Sequence, residues 1–142
     1  MSLAKRTNSP LSLIICDIDW FKTINDTHGH ATGDKVLIEF SYNIKSILRV
    51  EDVFIRIGGE EFIILLPQIN LDNAIHTAER LRASTENLSM SEGDQTITIT
   101  ASFGVTEVDL NNTIDHSVNN ADVALYQAKG NGRNKVEVFS QS

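Results

Sequence analysis

Residues 53–66 read V-F-I-R-I-G-G-E-E-F-I-I-L-L. Two arms rich in β-branched and aromatic residues, Val53 to Ile57 and Phe62 to Leu66, flank Gly58, Gly59, Glu60 and Glu61. Such a pattern predicts a β-hairpin with a glycine-permitted tight turn, and it places two carboxylates at the tip. Upstream, Leu11 to Ile18 is a short apolar run preceded by Asn8, Ser9 and Pro10, which suits a buried strand, and it ends in Asp17 and Asp19. From Gly33 to Leu48 the residues Val36, Leu37, Phe40, Ile44, Ile47 and Leu48 recur at helical spacing, with Asp34 near the start, where a helix dipole favours an acid. Leu71 to Leu88 is a second helix and Val118 to Lys129 a third, closed by Gly130 and Gly132. Gln95 to Val108 alternates threonine with isoleucine like a strand, and Lys135 to Phe139 closes the chain as another. The expected fold class is α/β (α+β): one sheet covered by helices, with acids gathered at one strand end and one hairpin tip.

At 142 residues and 41% hydrophobic content, the chain has the size of one domain, expected over 1–142. It contains no repeat, no low-complexity tract and no Pro/Gly-rich linker. Twelve Lys and Arg against 19 Asp and Glu give a net charge of -7, which repels nucleic acid and anionic membranes. An anionic substrate therefore needs local help from cations. Cys16 is the only cysteine, so no intramolecular disulfide forms; a reducing, cytoplasmic setting and a core-packing role are expected. The longest apolar runs fall far short of the roughly 20 residues of a membrane-spanning helix, and no signal peptide is expected.

Asp17 and Asp19 alternate onto one face if the strand persists that far, and Glu60 and Glu61 sit on another strand's turn. Carboxylates from two strands suit Mg²⁺, which keeps several waters and takes substrate phosphates as its remaining ligands. The pattern points to metal-assisted phosphoryl transfer. Each acid taken singly reads equally as a solvated turn residue, and the glycine pair as plain turn chemistry. His28 and His30 have metal-like spacing but no third nitrogen or sulfur ligand nearby, which argues against zinc. Lys129 and Arg133 flank Gly130, Asn131 and Gly132 at a helix end, where capping and phosphate binding are both open readings.

The string R-I-G-G-E-E-F at 56–62 resembles the signature of GGDEF-family diguanylate cyclases in its GGEEF variant. D-I-D-W-F-K-T-I-N-D-T-H-G-H-A-T-G-D at 17–34 resembles that family's substrate-binding stretch, and A-D-V-A-L-Y-Q-A-K-G-N-G-R-N at 121–134 its C-terminal motif. Three motifs in the family's order make chance negligible. The resemblance implies a palm-like fold related to nucleotidyl cyclases and polymerases, with a largely antiparallel sheet. It implies condensation of two GTP into cyclic di-GMP and pyrophosphate, with each 3′-hydroxyl attacking the partner's α-phosphate across a homodimer. Two Mg²⁺ per site, or Mn²⁺ in their place, would be held by Asp17 and Glu60 and by the carbonyl of Ile18, with Glu60 also assisting deprotonation of the 3′-hydroxyl. Asn25 and Asp34 would read the guanine edge, Phe21 and Lys22 would offer backbone N–H groups to phosphates, and Lys129 and Arg133 would neutralise the terminal phosphates. Gly58 and Gly59 would let the backbone approach the nucleotide. By the same resemblance, His28 and His30 belong to a helix-connecting loop beside the base pocket, and Asp19 is structural rather than a ligand.

Arg49 and Asp52 form an R-x-x-D ending five residues before Gly58, where the family places an inhibitory site for its product, and Arg80 stands where a second arginine often joins it. Arginine forks suit a cyclic dinucleotide; the alternative is a structural ion pair. The family's usual N-terminal helix and D-x-L-T-G-L-x-N-R segment are not found in this sequence, which enters near Ala4 or Lys5 in what would be the end of the following helix. An upstream sensory domain is expected in the parent protein, which is free to be membrane-anchored. The competing readings are a catalytically silent domain that binds cyclic di-GMP or GTP, and a cyclase with a mononucleotide product. The intact Gly58 to Phe62 signature weighs against the first and the Asn25–Asp34 pair against the second.

Overall fold

The computed structural model describes residues 9–140; the predicted helix end near Ala4 or Lys5 lies outside them. Strand β1 (Leu11–Ile18) is buried at every position, as a strand covered on both faces must be, and its apolar run accordingly lacks alternation. It is the middle strand of a five-stranded sheet, between β3 (Glu61–Pro67) and β6 (Ala101–Glu107), both antiparallel to it. β2 (Val53–Arg56) extends the sheet beyond β3, and β7 (Val136–Val138) lies parallel to β6 at the other edge. The order is β2-β3-β1-β6-β7. The architecture is the mixed, largely antiparallel sheet flanked by helices that the sequence predicts.

Helices α1 (Phe21–His28), α2 (His30–Ile47), α3 (Leu71–Glu86) and α4 (Ile114–Gly130) cover the sheet. On one face Ile14, Cys16, Ile18, Phe62, Ile64 and Phe103 pack with Phe40 and Ile44 of α2 and Ala78 and Leu81 of α3. On the other, Leu13 and Ile15 pack with Ala121 and Leu125 of α4. Cys16 is fully buried, and burial pushes its thiol well above the ordinary range, so it is the packing residue expected. Asn70 caps α3 by accepting from the Asn73 N–H at 2.9 Å, and Thr113 caps α4 from His116 N–H. That cap starts α4 four residues before the predicted Val118, because the opening turn is polar and carries no apolar periodicity.

Two predictions are corrected. Gln95 to Val108 is not one strand: β5 (Gln95–Thr98) pairs with β4 (Ser89–Glu92) in a separate hairpin, and β6 begins at Ala101 in the main sheet. Gly93, at φ +60, opens that hairpin's two-residue turn. The Thr/Ile alternation runs through Thr98, Ile99 and Thr100, so nothing in it marks the change of sheet. In the main hairpin, Gly58 and Gly59 do not take positive φ, and the loop spans 57–60, closed by Ile57 N–H donating to the Glu61 carbonyl at 2.9 Å. The turn does not demand glycine.

Gly104 does meet a demand of the fold. It stands on β6 opposite Ile15, and an added Cβ would fall inside contact distance of the Ala121 carbonyl and the Leu125 N–H, and 2.9 Å from Leu125 Cα. α4 therefore rests on the sheet at a point where only glycine fits. Gly104→Ala should cost about 2–3 kcal/mol, since helix backbone has to shift, measured as a lower urea midpoint with unchanged slope; stability within about 0.5 kcal/mol of the parent would show that α4 moves freely.

Candidate functional site

The C-terminal end of β1, the N-terminus of α1, the β2–β3 turn and the end of α4 meet around a cavity of about 300 Å³. It is lined by Asp17, Ile18, Asp19, Trp20, Phe21, Lys22, Thr23, Glu60, Lys129 and Arg133. Ile18 N–H donates to the Glu60 carbonyl at 3.2 Å, which ties the turn to the strand end. Trp20, at φ +59, turns the chain out of β1 into α1 and supplies no side-chain cap. The first N–H groups of a helix have no intrahelical acceptor, so α1 presents free donors at its N-terminus, where its dipole favours an anion.

The two acids at the end of β1 are handled differently. Asp17 is buried, and Lys129 Nζ in the last turn of α4 donates to its Oδ2 at 2.5 Å. Burial pushes the Asp17 carboxyl above its ordinary range, Lys129 opposes the rise, and Glu60 and Asp19 add to it. Glu61, opposite Asp17 in the ladder, is also raised, first by burial and then by Asp122 and Asp17. Asp19 is matched by neutral donors: Ser102 Oγ at 2.6 Å, Thr100 Oγ1 at 2.7 Å and Asn134 N–H at 2.9 Å. These three donors hold the Asp19 carboxylate, which also lines the cavity.

At the end of α4, Arg133 N–H donates to the Ala128 carbonyl at 3.0 Å across Gly132 at φ +116, a wrap that ends the helix and returns the chain to the cavity. The Arg133 guanidinium lies 4.0 Å from the Trp20 ring centroid. The capping reading of this segment holds, and the same wrap brings Lys129 to Asp17 and Arg133 to the cavity.

The family Diguanylate cyclase, GGDEF domain, matches residues 1–135. The chain belongs to the GGDEF family of diguanylate cyclases. It is 45% identical over 127 residues to Diguanylate cyclase A of Treponema denticola, covering 89% of this chain and 34% of that protein. It is 40% identical over 141 residues to Response regulator PleD of Caulobacter vibrioides, covering 95% and 31%. The chain thus spans about a third of the length of these curated relatives. A solved structure of the active GGEEF domain of a diguanylate cyclase from Vibrio cholerae superposes with a TM-score of 0.91 at 37% identity, over 99% of this chain and 90% of that one. The GGDEF domain of DgcB from Caulobacter crescentus, solved in complex with c-di-GMP, gives 0.93 at 29% identity, over 99% and 84%.

Other predicted residues of this GGDEF domain lie outside the cavity. Asn25 is one turn along α1 from Phe21, and its buried Oδ1 has no hydrogen-bond partner among the described residues. It packs on Gly33 of α2, where an added Cβ would displace it, and Asp34 follows on the exposed surface. His28 ends α1 and His30 starts α2, so Gly29 alone, at φ +92, connects the helices, rather than the longer loop predicted. Among the described residues no three His, Cys, Asp or Glu side chains form a metal-binding group.

Gly58 and Gly59 are exposed, and a Cβ on either would meet open space or ordinary contact. Their smallness serves nothing in this chain, which leaves room for close approach from outside. Arg49 donates through Nε and NH2 to Asp52 Oδ1 at 3.0 and 2.6 Å and through NH2 to the Pro67 carbonyl at 2.8 Å. The structural ion pair is therefore present, with the Arg49 side chain about a third exposed; Arg80 is exposed on α3. Sequence reasoning missed Arg56, whose guanidinium holds the Gly58 and Gly59 carbonyls at 2.6–3.0 Å. It also missed the partners of Asp19, because Thr100, Ser102 and Asn134 have no sequence proximity to it.

Asp17 is raised in the folded state, so its contribution favours folding at low pH and is lost as pH climbs through the raised value. Lys129→Met removes the main opposing cause. The variant should lose about 1–3 kcal/mol at neutral pH relative to the parent, and less in acid, with Asp17 ¹³Cγ titrating at higher pH; parallel pH–stability curves and an unmoved titration would disconnect the pair from the site.

Proposed function

We propose that this domain condenses two GTP molecules into cyclic di-GMP and two pyrophosphates, working as a homodimer in the cytoplasm under an upstream regulatory segment. The observation that carries this reading is the cavity where buried Asp17, Ile18, Glu60, the free N-terminus of α1, Lys129 and Arg133 converge. The donor set fits Mg²⁺ or Mn²⁺: oxygen ligands alone, too few to complete a coordination sphere without substrate phosphates. Such an ion, when bound, neutralises phosphate charge and polarises the phosphorus–oxygen bonds.

The chain's own residues do the rest. Phe21 and Lys22 N–H groups receive phosphate oxygens at the helix N-terminus. Arg133 offers a fork to the terminal phosphates, and Lys129, which holds Asp17 Oδ2, would be free to pair with phosphate if a cation held by Asp17 replaced that contact. Glu60, which lines the cavity with Asp17, takes the 3′-hydroxyl proton in this reading. Asn25, with its unmatched buried Oδ1, and Asp34 recognise guanine; adenine would leave those groups unpaired. Because each domain binds one GTP and each product holds two nucleotides, two domains face each other, and Gly58 and Gly59 give the second nucleotide room at the turn. Arg49, Asp52 and Arg80 form a product-inhibition site, a reading in line with the c-di-GMP complex of the DgcB domain. The silent-receptor reading has no observation in its favour, since every signature residue is present.

Incubation with GTP and Mg²⁺ at high protein concentration, followed by chromatography, should yield cyclic di-GMP and pyrophosphate; a folded chain that binds GTP and forms neither would favour the receptor. Glu60→Gln should lower turnover by at least about 10³-fold with an unchanged circular dichroism spectrum. Retained turnover would move the metal and base roles elsewhere. Arg49→Ala should weaken cyclic di-GMP binding by at least about tenfold in titration calorimetry, and equal affinity would leave Arg49 as a purely structural ion pair.

A further inference from the structure

Among the described residues, four non-glycine positions have positive φ: Trp20, Gln68, Arg133 and Asn134. Trp20 and Arg133 line the cavity, and Asn134 follows directly behind Arg133. A left-handed conformation costs a residue with a side chain about 1 kcal/mol or more. Arg133 at φ +64 and Asn134 at +48 adopt it consecutively, after Gly132. Such a segment keeps its shape only where its surroundings over-determine it.

Here it is held from two sides. Asn134 N–H donates to Asp19 Oδ2 at 2.9 Å, which ties the segment to the end of β1. From α3, Arg82 NH1 donates to Asn134 Oδ1 at 3.0 Å, and Asn134 Nδ2 donates to Glu86 Oε2 at 2.6 Å. Arg82 is itself aimed by Glu79 Oε1, which accepts from its Nε at 2.8 Å and NH2 at 2.5 Å, and its side chain is 18% exposed. α3 gives no residue to the cavity, yet it fixes both polar atoms of the Asn134 side chain. The backbone at 134 determines where Arg133 leaves the chain, and Arg133 lies over Trp20 at the cavity.

We propose that Arg82 is a positioning residue for the phosphate-binding end of this site: through Asn134 it holds the left-handed turn that lays Arg133 against Trp20 and into the cavity. The proposal rests on the cyclase reading for the identity of the anion, not for the geometry. The contrasting account is a solvated cluster of Arg82, Glu79 and Glu86 on one helix face, which contributes a few tenths of a kcal/mol and does not reach the site.

Trp20 is the only tryptophan and is exposed, so its emission reports the Arg133 stack directly. Arg82→Met removes the α3 donor; Asn134→Gly keeps the N–H to Asp19 and tolerates positive φ but deletes the side chain that α3 grips. Each should change Trp20 emission in nucleotide-free protein and raise KM for GTP by about fivefold to tenfold, with a smaller effect on kcat. The double variant should be no worse than either single one, because both break one link. Unchanged emission and KM in the single variants, or effects that add in the double, would overturn the proposal. Product formation by the parent chain tests the cyclase reading separately, since the emission change and its non-additivity do not depend on what the chain makes.

Discussion

Two carboxylates at the end of a strand buried along its whole length set the constraint on which this site depends. Burying a charge is costly unless partners compensate it, and β1 carries Asp17 and Asp19 into a region where each is almost wholly removed from solvent. The fold meets the cost in two ways. Asp19 collects three neutral donors and is fixed. Asp17 receives one ammonium, from a lysine that remains partly exposed, and among the described residues its other oxygen has no donor. One acid is thus satisfied by the protein and the other is left able to exchange its partner, a division of labour that suits a structural post beside a ligand-exchanging group.

That division explains why the chain after α4 returns to the sheet as it does. Lys129 must reach Asp17 from the last helical turn, and five residues later Asn134 must present its N–H to Asp19. The helix end therefore has to reverse within three residues, which Gly132 permits and which drives Arg133 and Asn134 into left-handed backbone. The strain is local, of the order of 1 kcal/mol per residue, and is offset by hydrogen bonds to a buried carboxylate, which are worth more than neutral ones.

Much of this was legible beforehand, for identifiable reasons. β1 and the β2–β3 hairpin were readable because continuous apolar runs bounded by turn residues have few alternative readings, and the acids followed from their places at the ends of those runs. α2 and α3 were readable from their apolar stripes. The division of Gln95 to Val108 between two sheets was not, because Thr98 to Thr100 keeps the alternation while the backbone changes direction. Nor was the Asp19 cradle, whose donors lie 81 to 115 residues away in sequence. Of the two readings of Gly58 and Gly59, turn chemistry finds no positive φ to support it, since their backbone conformation is open to other residues.

That last point bears on what the turn is for. A glycine the fold requires shows itself by positive φ or by a clash that a Cβ would create, as Gly132 and Gly104 do. Gly58 and Gly59 show neither, although they adjoin Glu60 at the cavity and Arg56 grips their carbonyls from the side. With its carbonyls fixed and no side chains in the way, this segment is held rigid but left bare. A second nucleotide approaching Glu60 would meet bare backbone at this turn, which is what the proposed joining of two nucleotides held by two domains would use.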